Sequence, residues 1–137
     1  LVSGDQVLPT ISPNVSVLSS APDADPLRDF LASIERLRAC DAGTLVLPSH
    51  GRPFRGLHRR LADLGAHHRE QLDALLAHCV EPRTAEELLP VLFRRVPRGF
   101  HRLLAVGEAV AHLNYLCGTG VMERRREGET ARFVAVR

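Results

Sequence analysis

The sequence predicts the tail of a layered α/β domain followed by a small helical module that ends in a β-hairpin. Three observations carry this. Two short apolar runs, Leu1-Val2-Ser3-Gly4 and Thr44-Leu45-Val46-Leu47, each stop at a polar loop and are separated by a single helix, the order of strands in one sheet. From Gly56 onward, apolar residues recur at three- and four-residue steps, the period of helices packed on one face. The last stretch, 121–126, a turn at Glu127-Gly128-Glu129 and 131–136, reads as two strands joined by a tight turn.

The first run delivers Asp5 at its exit, a position where α/β proteins hold polar groups rigidly but facing solvent. Residues 6–24, rich in Pro, Ser and Asn and without period, read as a long loop, with Ser12-Pro13-Asn14 at the mouth of a site. Asp25-Pro26 then opens a helix, Asp as its cap and Pro in the first turn, where a missing N–H costs nothing. Leu27, Phe30, Leu31, Ile34 and Leu37 form its buried stripe. Asp41-Ala42-Gly43 ends it. Thr44-Leu45-Val46-Leu47 has the uninterrupted apolar character of a fully buried parallel strand, stopping at Pro48-Ser49-His50-Gly51. A long helix runs from Gly56 to about His78. Thr84-Ala85-Glu86-Glu87 is a capping box that should start a helix over 85–93. A further helix over 100–117 follows, with Leu103, Leu104, Val106, Val110, Leu113 and Leu116 inside and Gly118 as the left-handed stop.

With 137 residues and 45% apolar content the chain has room for one average domain or two small ones. Residues 1–51 carry three arginines against six acids, whereas 52–137 carry fifteen arginines against ten acids. Opposite signs suggest two modules, divided here as 1–55 and 56–137. All 18 basic residues are arginine. Cys40, Cys79 and Cys117 lie about 40 residues apart without CxxC or Cys/His spacing, which excludes a disulfide framework and a zinc finger. There is neither an apolar run of about 18 residues nor a charged and apolar leader, so the expected location is the cytoplasm, without a membrane partner.

Read together, Asp5 and His50 each end an apolar strand and would project from the same sheet edge. Carboxylate oxygens and a neutral imidazole nitrogen are ligand types of a zinc hydrolase. The wider string is Ser3-Gly4-Asp5, a helix opening at Asp25-Pro26-Leu27, Leu45-Val46-Leu47-Pro48-Ser49-His50-Gly51, a long His-containing helix and a three-helix-plus-hairpin module. It resembles the distal half of the metallo-β-lactamase superfamily, in the branch of hydrolases related to human beta-lactamase-like protein 2. The resemblance covers essentially the whole chain. It implies part of an αββα sandwich followed by a winged helix-turn-helix domain. It also implies that Asp5 bridges two metal ions and His50 binds the second, the ions being zinc.

The same resemblance places an H-x-H-x-D-H string upstream of Leu1, and no such string occurs in the sequence. The chain thus reads as a truncated piece. A catalytic zinc needs about three protein ligands and an open position for water, so two ligands alone predict a catalytically dead polypeptide. For the complete enzyme, the implied substrate is a small-molecule ester or thioester. A reading of another class is a nucleic-acid-binding winged helix without enzymatic activity. In it, Arg98 and Arg102 at the start of the second helix and Arg124 and Arg126 on the hairpin would face phosphates. Glutamates 123, 127 and 129 around the hairpin oppose it. His67 and His68 are neighbours on one helix, point about 100° apart, and cannot chelate one ion from one face.

Overall fold

The computed structural model describes residues 1–136, which divide into two compact units: residues 1–14 with 28–68, and residues 15–27 with 69–136.

In the first unit, β1 (Val2–Gly4) pairs in parallel with β2 (Leu47–Pro48), joined through α1 (Pro26–Arg36) and a 3-10 turn, Leu37–Ala39. The α1 stripe forms as its spacing predicts, with Leu27, Phe30 and Ile34 buried. Asp41 then turns the chain by accepting the Gly43 N–H on Oδ1 at 2.7 Å. The second strand differs from its predicted form. It is shorter, and only Val46 is buried, while Leu45 and Leu47 are 43% and 41% exposed. A run of four apolar residues does not distinguish a strand covered on both faces from one that leaves a face open, and this one leaves a face open. Val46 also bridges Phe54 in antiparallel fashion, so residues 47–53 form a narrow return loop that carries His50.

Helix α2 (Leu57–His78) matches its predicted span, and Leu57, Leu61, Leu64, His68, Leu72 and Leu75 are buried along one face. Asn14 and Val15 mark where the loop 6–24 passes from the first unit to the second.

The second unit contains α3 (Leu89–Leu92), α4 (Phe100–Gly118) and an antiparallel hairpin of β3 (Met122–Glu127) and β4 (Thr130–Ala135), with Glu127 opposite Thr130. The capping box is made: the Thr84 N–H donates to Glu87 Oε2 at 2.7 Å and the Glu87 N–H to Thr84 Oγ1 at 3.2 Å. The helix behind it is shorter than the predicted 85–93. Leu88 and Leu89 donate back only three residues, to Ala85 and Glu86, and Pro90 has no N–H to continue the ladder. Thr84→Ala is expected to cost about 1 kcal/mol, read by chemical denaturation. A loss below about 0.3 kcal/mol would show that the turn stands without its cap. Hydrogen bonding to the carboxylate, from the Thr84 N–H first and the Thr84 hydroxyl second, holds the Glu87 carboxyl below its ordinary range.

Helix α4 departs from its predicted face. Leu103 is 67% exposed, whereas Ala105, Gly107, Ala109, Ala111, His112, Leu113, Asn114 and Leu116 are buried. At Gly107 the backbone of residues 16–17 comes close enough that a Cβ would stand 2.8 Å from Val17 O. The Val17 N–H donates to Gly107 O at 3.0 Å, Ser16 Oγ to Leu104 O at 3.1 Å, and Asn114 Nδ2 to the carbonyls of Pro22 and Ala24 at 2.9 Å. Residues 15–24 are therefore a strap tied along α4, and Pro13, predicted at a site mouth, is buried. The helix runs through Gly118, and Gly120, not Gly118, takes the left-handed position with φ 79°. No helix among the described residues is long and apolar enough to cross a membrane.

Candidate metal centre

The ends of β1 and β2 bring Asp5 and His50 together. β1 ends on Gly4, whose φ of 53° turns the backbone outward. The Gln6 N–H then donates to Ser3 O at 2.9 Å and Ser3 Oγ donates to Val7 O at 2.9 Å, leaving Asp5 at the tip of a tight, internally bonded turn. On the neighbouring strand the Ser49 N–H donates to Gly4 O at 3.0 Å, which fixes the second loop against the first. His50 Nε2 lies 3.5 Å from Asp5 Oδ1, and Ser49 Oγ donates a hydrogen bond to that same oxygen. Sequence reasoning did not single out Ser49. The signal was its place beside His50 in the loop that leaves β2, which the pairing of Gly4 with Pro48 sets next to the exit of β1.

Gly51 closes the arrangement. Its φ is 87°, and a Cβ there would stand 2.6 Å from Pro9 Cγ, so the loop after Asp5 and the loop bearing His50 interlock at a point where only hydrogen fits. Both candidate ligands face water, with side chains 66% (Asp5) and 71% (His50) exposed.

Tested against a zinc site, these residues supply one carboxylate and one imidazole on a common point. A catalytic zinc takes about three protein donors plus water. Among the described residues no group of three or more His, Cys, Asp or Glu is placed to hold a metal ion. The donor set is of the right chemistry and falls short in number, and no hydrolytic step follows from it. The Cys79 thiol contributes nothing here: burial pushes it up to about 11, so it stays protonated. His68 is buried with its ring edge-on to Phe30, centroids 5.3 Å apart, while His67 is exposed.

The arginines singled out for nucleic acid are scattered in their engagements. Arg102 pairs with Glu86 at 2.6 Å, and Arg124 pairs with Asp23 of the strap. Arg98 lies just before α4. Arg126 lines a cavity of about 440 Å³ together with Asp23, Arg124 and Glu129. Two of the four cations thus already face carboxylates, which weakens a phosphate-binding face built from them.

Residues 72–136 match the family described as metallo-beta-lactamase-like, C-terminal domain. No curated protein matches the chain. Among solved structures, the chain is similar to a beta-lactamase domain protein from Burkholderia ambifaria, at 42% identity with a TM-score of 0.94 over 98% of this chain. It is also similar to a metallo-beta-lactamase family protein from Thermus thermophilus, at 35% identity with a TM-score of 0.82 over 98% of this chain. The chain spans 41% of the length of each of these two proteins. It therefore corresponds to the C-terminal part of metallo-beta-lactamase-like proteins, with their C-terminal domain at residues 72–136.

Proposed function

We propose that this chain supplies the distal half of a metal-dependent hydrolase site, in which Asp5 and His50 are two ligands of a pair of zinc ions. The observation that carries the reading is the convergence of Asp5 Oδ1 and His50 Nε2 to 3.5 Å from opposite ends of a long stretch of sequence, on loops locked by Gly51 and Pro9. The similarity to metallo-beta-lactamase proteins supports it. When bound, the metals would lower the pKa of a water from 15.7 to about 7 and stabilise charge developing on the substrate. Within this chain, Asp5 and His50 would hold metal, and Ser49, by donating to Asp5, would orient the carboxylate. The remaining ligands would have to come from outside these 137 residues, so the chain by itself is proposed to be inactive.

The module after residue 55 is read as a winged helix. The order of α2, α3, α4 and a two-stranded hairpin supports that topology, and its role is packing and shaping the substrate side, with a small-molecule ester or thioester as substrate of the complete enzyme. Duplex DNA binding through Arg98, Arg102, Arg124 and Arg126 is the weaker reading, given the carboxylates already on Arg102 and Arg124.

Zinc titration followed by NMR tests the proposal. Zinc is expected to bind weakly, with Kd above about 10 μM because two ligands are too few, and to shift the His50 ring resonances. Asp5→Ala and His50→Ala should each remove that shift. A submicromolar zinc site with hydrolysis would overturn the incompleteness, and zinc shifts indifferent to both substitutions would overturn the ligand assignment.

A further inference from the structure

The loop that leaves Asp5 and the first turns of α2 enclose a cleft of about 190 Å³, lined by Thr10 and Ser12 from the loop and by Arg60, Asp63, Leu64 and His67 from the helix. All six belong to the compact unit that holds Asp5 and His50. The cleft is built around a fixed cation. Arg60 Nε donates to Leu8 O at 2.6 Å and Nη2 to Ile11 O at 2.7 Å, so the guanidinium is held by two backbone carbonyls and is not neutralised by a carboxylate. Asp63 follows three residues on and His67 four beyond that, spacings that put them on the same helix face. Asp63 and the hydroxyls of Thr10 and Ser12 make no hydrogen bond or ion pair among the described residues.

Charge and hydrogen-bonding capacity define what such a cleft takes. One guanidinium and one carboxylate sum to zero. An anionic group would gain Arg60 and meet Asp63, a cationic group the reverse, and an apolar group would strip water from both without replacing it. A neutral group that presents a donor and an acceptor side by side satisfies both: its donor meets Asp63, and its acceptor meets Arg60 or a hydroxyl. A carboxamide and a vicinal diol share that chemistry. The volume admits one such moiety and is below the range of whole-ligand pockets.

We propose that this cleft is a subsite for a neutral donor–acceptor moiety, an amide or a diol, of the substrate handled at the Asp5 and His50 site. The proposal rests on the reading of that site as a hydrolase centre. Arg60 is a positioning residue in it, since the carbonyls it grips lie in the loop that begins at Asp5.

The test is an amide-resolved NMR titration of the 137-residue chain with N-acetylglycinamide and, separately, methyl β-ribofuranoside. Probes this small bind in the millimolar range. Saturable shifts at Thr10, Ser12, Asp63 and His67 are expected with at least one probe, and which one saturates identifies the amide or the diol. Acetate and ethylammonium should bind about tenfold more weakly. Asp63 is exposed, so Asp63→Ala should fold normally and lose about tenfold in affinity for the probe that saturates. Non-saturating shifts with both probes overturn the subsite. So does an isotherm unchanged in Asp63→Ala, or equal binding of the charged controls. Asp5→Ala separates the two readings. Loss of the zinc response with the probe isotherm intact supports the subsite, a zinc response retained in both Asp5→Ala and His50→Ala overturns the metal reading on which the subsite rests, and non-saturating probe shifts in a parent chain that still responds to zinc overturn the subsite alone.

Discussion

Gly107→Ala is expected to destabilise the second unit by about 2 kcal/mol, although alanine is the better helix former by about 1 kcal/mol. A Cβ at Gly107 would stand 2.8 Å from the backbone oxygen of Val17 and 3.1 Å from Ser16 Cβ. The first of these is a main-chain atom that cannot swing aside like a side-chain end. The strap must lift, and with it go the bond from the Val17 N–H to Gly107 O and the bond from Ser16 Oγ to Leu104 O. Each net hydrogen bond of this kind is worth about 1 kcal/mol, and together with the clash they outweigh the gain in helix propensity. The measurement is denaturant unfolding together with hydrogen exchange at Val17. Loss of protection at Val17 with a lowered midpoint is the expected pair of results. A variant more stable than the parent would mean that the strap does not determine the packing of α4.

That strap marks the limit of what the sequence discloses. Elements whose signal is local and periodic were readable: the α1 stripe from Leu27 to Ile34, the span of α2, the capping pair Thr84 and Glu87, and the hairpin turn at Gly128. The juxtaposition of Asp5 with His50 was readable too, because parallel pairing of two apolar runs leaves their exits on one edge. The buried face of α4 was not. Large apolar residues are the usual marker of a helix interior, but here Gly107 and Ala111 are buried while Leu103 faces solvent. No residue pattern in α4 announces that an aperiodic segment far upstream in the chain will lie on it. The cleft around Arg60 was hidden for a similar reason: its polar residues are split between a loop and a helix, and only the fold brings Leu8 and Ile11 under the guanidinium.

Glu108→Gln is expected to stabilise the chain at alkaline pH and to leave it nearly unchanged in acid. Glu108 follows Gly107 on α4 and is half-buried, and that desolvation raises its carboxyl from 4.5 to about 7. The folded chain therefore holds the proton more tightly than the unfolded chain does. Stability linked to Glu108 is fully present below pH 4.5, declines as pH rises through 7, and is lost above it. A shift of that size corresponds to about 3 kcal/mol, and because the side chain keeps some contact with water the expected plateau is about 2 kcal/mol. Glutamine keeps the shape and cannot ionise. The difference in unfolding free energy between the two chains should accordingly be close to zero at about pH 4, grow between pH 4.5 and 7, and level off by about pH 8. Parallel stability curves across that interval would place the titration elsewhere. A difference of the opposite sign at the alkaline end would show that the ionised carboxylate has a stabilising partner. In that case burial would not be the dominant force on Glu108.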